Sequence, residues 1–249
     1  MKRKAILFVS IFLLCSLAMV SAFRLTPMVQ EFTPSGQGAR QTFTVSNDGS
    51  RPIAVRIEFA HREIDIHGNE TLREAPNMFT AFPQQMVVQP NSQQIVRVQW
   101  RGAPAVGQEQ AYRIIARQLP VAFEQEQRDV NINIMFVYQG SVYVTPPQKQ
   151  HQLVMESVRR TYDDEGNPQL TLEVNNRGNV HVIVGNPSVT VRSRQRGSIV
   201  SELTLQGTDL PGLNGSNILA GNRRIISIPW PETLTEGDLD ATSFTFGRM

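Results

Sequence analysis

The chain has 249 residues, 40% of them hydrophobic and 18% charged. That is the composition of a folded chain, long enough for one large domain or two small ones with real cores, and not of a disordered one. Its 24 basic residues fall to 21 against 22 acids, a charge of −1, once Lys2, Arg3 and Lys4 are set aside with the apolar run that follows them. This leaves no broad electrostatic case for nucleic acid or an anionic membrane.

That run, Ala5 to Ala22, has a positive start, an apolar centre and the small residues Val20, Ser21 and Ala22 at its end. This is the pattern of a cleaved secretory signal over residues 1–22. Cys15, the single cysteine, lies within it. An exported chain cut after Ala22 therefore has neither disulfides nor thiolate chemistry and must rely on its core.

Downstream, alternation with a period of two replaces any helical stripe. Phe43 and Val45 form one such row, Ile53, Val55, Ile57 and Phe59 a second, Val130, Ile132, Ile134 and Phe136 a third, and Leu170, Leu172 and Val174 a fourth. Turn chemistry bounds them: Asn47-Asp48-Gly49, His67-Gly68-Asn69 and Glu165-Gly166-Asn167. Short strands punctuated this way predict an all-β sandwich.

The pattern also repeats. The stretch from Val88 to Trp100 has a counterpart from Ile218 to Trp230, and Asn47-Asp48-Gly49 has one at Asn176-Arg177-Gly178. Two landmarks offset by nearly the same distance predict tandem domains, 23–146 and 147–249, hinged at Pro146-Pro147. Gly207 to Gly221, rich in Gly and Asn, reads as a loop of the second domain.

Catalytic signals are missing. His61, His67, His151 and His181 do not stand at metal-ligand spacing, no Gly-x-Ser-x-Gly or phosphate-binding glycine loop occurs, and Asp163-Asp164-Glu165 is an acidic turn and not a calcium loop. No enzyme, metal, cofactor or small-molecule substrate is expected. Binding surfaces are more promising. On the strand-like segment from Tyr112 to Pro120, Arg113, Ile115 and Arg117 share one face, and two guanidiniums so placed can hold a carboxylate. The plainer reading is a solvated face whose arginines meet nearby acids. The apolar row Val130, Ile132, Ile134 and Phe136 reads as a core strand; at a sheet edge it would need a partner to cover it.

The order of these pieces resembles the periplasmic chaperones of bacterial pilus assembly, the chaperone–usher family. The residues that carry the resemblance are Ser46-Asn47, the run from Phe82-Pro83 through Pro90 to Arg97, and Tyr112-Arg113 through Leu119-Pro120. The resemblance implies two immunoglobulin-like domains set as an L or boomerang. It implies a periplasmic protein that binds and folds pilus subunits without ATP and delivers them to an outer-membrane usher. The subunit's exposed groove would receive a donated strand, here Val130, Ile132, Ile134 and Phe136, through backbone pairing. The family's arginine and lysine anchor for the subunit's terminal carboxylate would fall near Met28 or Val29 and near Asn133 or Met135, so that pair is absent. Arg113, with Arg117, is expected to replace it. The short loop Val121 to Asp129 fits branches that build simpler pili, and an uncovered edge would favour a self-capping dimer. The alternative is a secreted structural or adhesive sandwich, or a periplasmic binding module with no part in pilus assembly.

Overall fold

The computed structural model describes residues 23–120 and 134–248. The predicted signal, Cys15, the loop Val121 to Asp129, and Val130, Ile132 and Asn133 lie outside the described residues.

Among the described residues, ten strands build the first half: β1 (Phe23–Thr26), β2 (Val29–Phe32), β3 (Arg40–Asn47), β4 (Ile53–Ile64), β5 (Glu70–Glu74), β6 (Phe79–Phe82), β7 (Gln85–Val88), β8 (Ser92–Trp100), β9 (Gln110–Leu119) and β10 (Val137–Val144). One sheet has the order β1-β3-β8-β6, the other β2-β10-β9-β4-β5 with β7 also paired to β4. Alternation decides what each strand buries. Phe43 and Val45 of β3 and Val96 and Val98 of β8 meet Val55 and Ile57 of β4 and Tyr112, Ile114 and Ala116 of β9 across the sandwich. Each buried Val, Ile or Phe among them contributes about 1.5–3 kcal/mol on leaving water. Phe79 centres an aromatic cluster, stacked on Phe59 at 4.6 Å and edge-on to Phe32, Trp100 and Tyr112. Burial pushes the Tyr112 hydroxyl up to about 12.

Seven strands build the second half: β11 (Leu153–Tyr162), β12 (Pro168–Asn176), β13 (Val182–Gln195), β14 (Ser198–Gln206), β15 (Asn217–Ile218), β16 (Arg223–Pro229) and β17 (Asp238–Arg248). The sheet β11-β12-β16 packs on a second sheet in which β13 pairs β14, β15 and β17. Leu170, Leu172 and Val174 face Val182, Val184, Val189 and Val191 in a separate core. The stretch read as a loop, Gly207 to Gly221, does more than connect. Leu210 and Leu213 are fully buried in that core, and Asn217–Ile218 forms a strand. The fold is thus all-β, with two sandwich domains.

The repeat has a physical basis. Asn47 accepts from Gly49 N at 2.9 Å and donates to Arg51 O at 2.7 Å and Val88 O at 3.0 Å. Asn176 accepts from Gly178 N at 3.0 Å and donates to Val180 O at 2.9 Å and Ile218 O at 3.0 Å. Each partner lies 129 or 130 positions beyond its counterpart. One carboxamide per domain ties two turns together and satisfies backbone groups that burial would otherwise strand. The turn it reaches carries a left-handed residue in both domains, Asn91 with φ 51° and Gly221 with φ 73°. Further on, Trp100 donates to Ala103 O and Trp230 to Leu234 O.

Candidate functional site: an open strand edge beside a guanidinium cluster

β10 has β9 along its whole length on one side, from Val137↔Arg117 to Val144↔Gln110. On its other side β2 runs parallel only from Ser141↔Val29 to Val144↔Phe32. Ser141 N–H donates to Met28 O at 2.7 Å across that second edge. Backbone groups alternate sides along a strand, so Val137 and Gln139 turn theirs to the same side as Ser141. Among the described residues no strand pairs with them there. The edge is apolar: Met28, Val29, Ile134, Met135 and Val137 are all exposed around it.

The even-numbered residues of this strand face its own core. Tyr138 meets Phe23 edge-on at 4.8 Å, and Phe136 packs against the same cluster. Ile134, two residues before Phe136, is 59% exposed. Of the apolar row predicted for this segment, Phe136 thus lies against the sandwich and Ile134 outside it, while Val130 and Ile132 fall outside the described residues. Among the described residues of this segment, Ile134 to Phe136 precede the strand and regular pairing starts at Val137.

Arg113 and Arg117 lie on the outer face of β9, but they do not share a carboxylate. Arg117 pairs with Glu58 at 3.2 Å in an exposed contact. Arg113 places Nε and Nη2 on the two oxygens of Glu70 at 2.8 and 2.7 Å, and Nη1 on Ser141 Oγ at 2.7 Å. The second cation on Glu70 is Arg62, through Nε at 2.6 Å. Arg62 also donates from Nη1 to Tyr143 OH at 3.0 Å. Two guanidiniums around one carboxylate leave a local charge of +1. Burial raises the Glu70 pKa, but hydrogen bonds from Arg113 and Arg62 outweigh it and hold the group below its ordinary value. Arg62, Glu70 and Ser141 carry no sequence signal of their own. Arg62 and Glu70 look like ordinary outer-face charges of a hairpin, and only the fold brings them to Arg113.

This cluster sits at the junction of the domains. Ile64, Ala111, Tyr143 and Leu219 form a small shared core. Tyr143 receives a hydrogen bond from Asn217 at 2.7 Å and stacks on His181 at 3.9 Å. His181 bonds through Nδ1 to the buried Glu109 at 2.7 Å. The β4–β5 turn docks on β16, where Ile225 N donates to Ile66 O at 2.7 Å and Asn222 to Ile64 O at 2.8 Å. On the other side of the junction a cleft of about 510 Å³ is lined by Glu31, Glu109, Lys149, His151, His181 and Arg248. Burial there, with the charges of Arg248, His181 and Lys149, lowers the His151 pKa. Among the described residues no group of three or more His, Cys, Asp or Glu is arranged to hold a metal.

Residues 32–150 match the family described as pili and flagellar-assembly chaperone, PapD N-terminal domain. No curated protein matches the chain in sequence. Solved structures do match in fold. The class 5 fimbriae chaperone CfaA is 11% identical with a TM-score of 0.55, covering 90% of this chain and 98% of its own. A chain of the CsuC–CsuE chaperone–tip adhesion subunit pre-assembly complex, from the archaic chaperone–usher Csu pili of Acinetobacter baumannii, is 12% identical with a TM-score of 0.55, covering 89% and 98%. A chain of the SafA pilin–SafB chaperone complex of Salmonella enterica is 13% identical with a TM-score of 0.53, covering 92% and 97%. The chain therefore has the two-domain boomerang fold of these chaperones, and across residues 32–150 it also carries the sequence pattern of the PapD N-terminal domain.

Proposed function

We propose that this protein is a periplasmic chaperone of the chaperone–usher family, exported by a signal over residues 1–22. Domains 23–146 and 147–249 bind a pilus subunit and pass it to an outer-membrane usher. The observation that carries this reading is the second edge of β10, which over Val137 to Gly140 has no partner strand among the described residues and is ringed by exposed apolar side chains. Soluble proteins normally cover or charge such an edge, because it is a template for a foreign strand. Val130, Ile132, Ile134 and Phe136 are the donated row. The backbone supplies affinity and the alternate side chains supply fit to the subunit's groove. Arg113 is the anchor for the subunit's terminal carboxylate. It lies one strand away from the open edge and contacts Ser141, the residue at which that edge closes. Arg117 supports the same field from four residues along the same face.

The test is co-expression of the full chain with small secreted proteins of its own genome, followed by purification from the periplasm and mass spectrometry. A one-to-one complex is expected, lost on Ile132→Asp with Ile134→Asp and reduced on Arg113→Ala. A protein that captures no subunit and is indifferent to these changes would be an ordinary two-domain sandwich.

A further inference from the structure

Glu70 binds Arg113 in the way a chain-terminal carboxylate would. Both of its oxygens take the Nε–Nη2 fork of the guanidinium, at 2.8 and 2.7 Å. This bidentate geometry is the strongest contact available to the pair. An incoming carboxylate therefore finds the fork already filled. The three groups are unequally buried: the Arg62 side chain is 8% exposed, Arg113 18% and Glu70 25%. A cation buried as deeply as Arg62 cannot lose its only carboxylate among the described residues without a large desolvation penalty. Arg113 lies nearer the surface and has Ser141 Oγ as a further partner. The asymmetry decides which guanidinium gives Glu70 up.

The geometry points to Glu70 as a resident competitor at the carboxylate anchor: shared by Arg62 and Arg113 in the free protein, it withdraws to Arg62 when a guest's terminal carboxylate takes the Arg113 fork. The loaded site then has two guanidiniums and two carboxylates, one for each, where the free site has two cations around one anion. Occupancy by Glu70 keeps the grip on the guest weak, which suits a protein that must later surrender it. This inference rests on the reading of Arg113 as the anchor. It adds Arg62 as the group that makes the exchange feasible and Glu70 as the group that sets its strength.

The test uses the full chain and a fluorescent synthetic peptide of alternating valine and threonine, made as the C-terminal acid and as the C-terminal amide. The wild type is expected to favour the acid, and Arg113→Ala to abolish the preference. Glu70→Gln keeps the size of the side chain and removes its charge. It is expected to raise the preference for the acid by about tenfold or more, the value of one hydrogen bond between charged groups. Should Glu70→Gln fail to fold because Arg62 is left unpaired, the double variant Arg62→Met with Glu70→Gln carries the same expectation. A preference that stays the same or falls in a folded Glu70 variant overturns the competitor role and makes Glu70 a fixed support for Arg113. A wild-type preference untouched by Arg113→Ala instead overturns the anchor itself, and the competitor role with it.

Discussion

Asn47 and Asn176 are each almost wholly buried, 2% and 0% exposed; Asn47 satisfies three backbone groups and Asn176 four. Replacing either by Ala removes an amide that two buried carbonyls depend on, at roughly 1–3 kcal/mol per orphaned group. Asn47→Ala and Asn176→Ala are expected to lower the stability of their own domains by about 2–4 kcal/mol, read from urea unfolding followed by Trp100 or Trp230 fluorescence. Glu70 yields a pH prediction. Its folded-state pKa lies below the ordinary 4.5, so its contribution to stability is present above that value and is lost as pH falls through the depressed one. The stability gap between wild type and Glu70→Gln should therefore be widest near neutrality and close as the solution is acidified below about pH 4.5. The two asparagines stood out in the sequence because each opens a turn that recurs. Glu70 did not, since its partners lie 43 and 8 residues away and nothing local distinguishes it from Glu63 or Glu74.

The elements show the same division between what is local and what is not. The rows in β3, β4 and β12 were legible because every second residue faces one core and the two-residue period reports this directly. The Gly- and Asn-rich stretch before β16 was opaque. Leu210 and Leu213 have no periodic neighbours, and their burial depends on a chain path that only the second core defines. The two hairpin turns share a design. Asp65 accepts from His67 N and Asn69 N, and Asp163 from Glu165 N and Asn167 N, so both carboxyls are held below their ordinary values chiefly by the side chain of the closing Asn. The first of these turns is also an interdomain contact. Gly68 has φ +97°, and a Cβ there would fall 1.6 Å from Arg224 Nη1. Gly68→Ala is expected to lift the turn off β16 at about 1–2 kcal/mol, the cost of a left-handed side chain. Amide exchange at Ile225, whose N–H is held by Ile66 O, should rise about tenfold or more while both cores stay protected.

For the whole molecule, the junction joins the two sandwiches through contacts of different chemistry. These are the Tyr143–His181 stack, the His181–Glu109 bond and the docked turn. The second domain thereby props the strand whose other end is open, since Tyr143 belongs to β10. An apolar open edge also predicts self-association. Sedimentation of the isolated protein is expected to show a concentration-dependent dimer, shifted to monomer by Ile134→Asp together with Val137→Asp, which put charges on the edge without touching the buried face.

β2 covers the edge of β10 from Ser141 onward, and before that no strand among the described residues covers it. The covered stretch acts as an end stop. A strand that lies down along the open part can advance only until it meets β2, where the hydroxyl of Ser141 and the guanidinium of Arg113 wait. For a guest bound as proposed, the edge would act as a calliper, reading how many residues separate the guest's last paired side chain from its chain end. Extending that end by one residue turns every side chain to the wrong face, and extending it by two restores the faces but drives the terminus into β2. Clients would be sorted by the length of their final strand as strictly as by its composition.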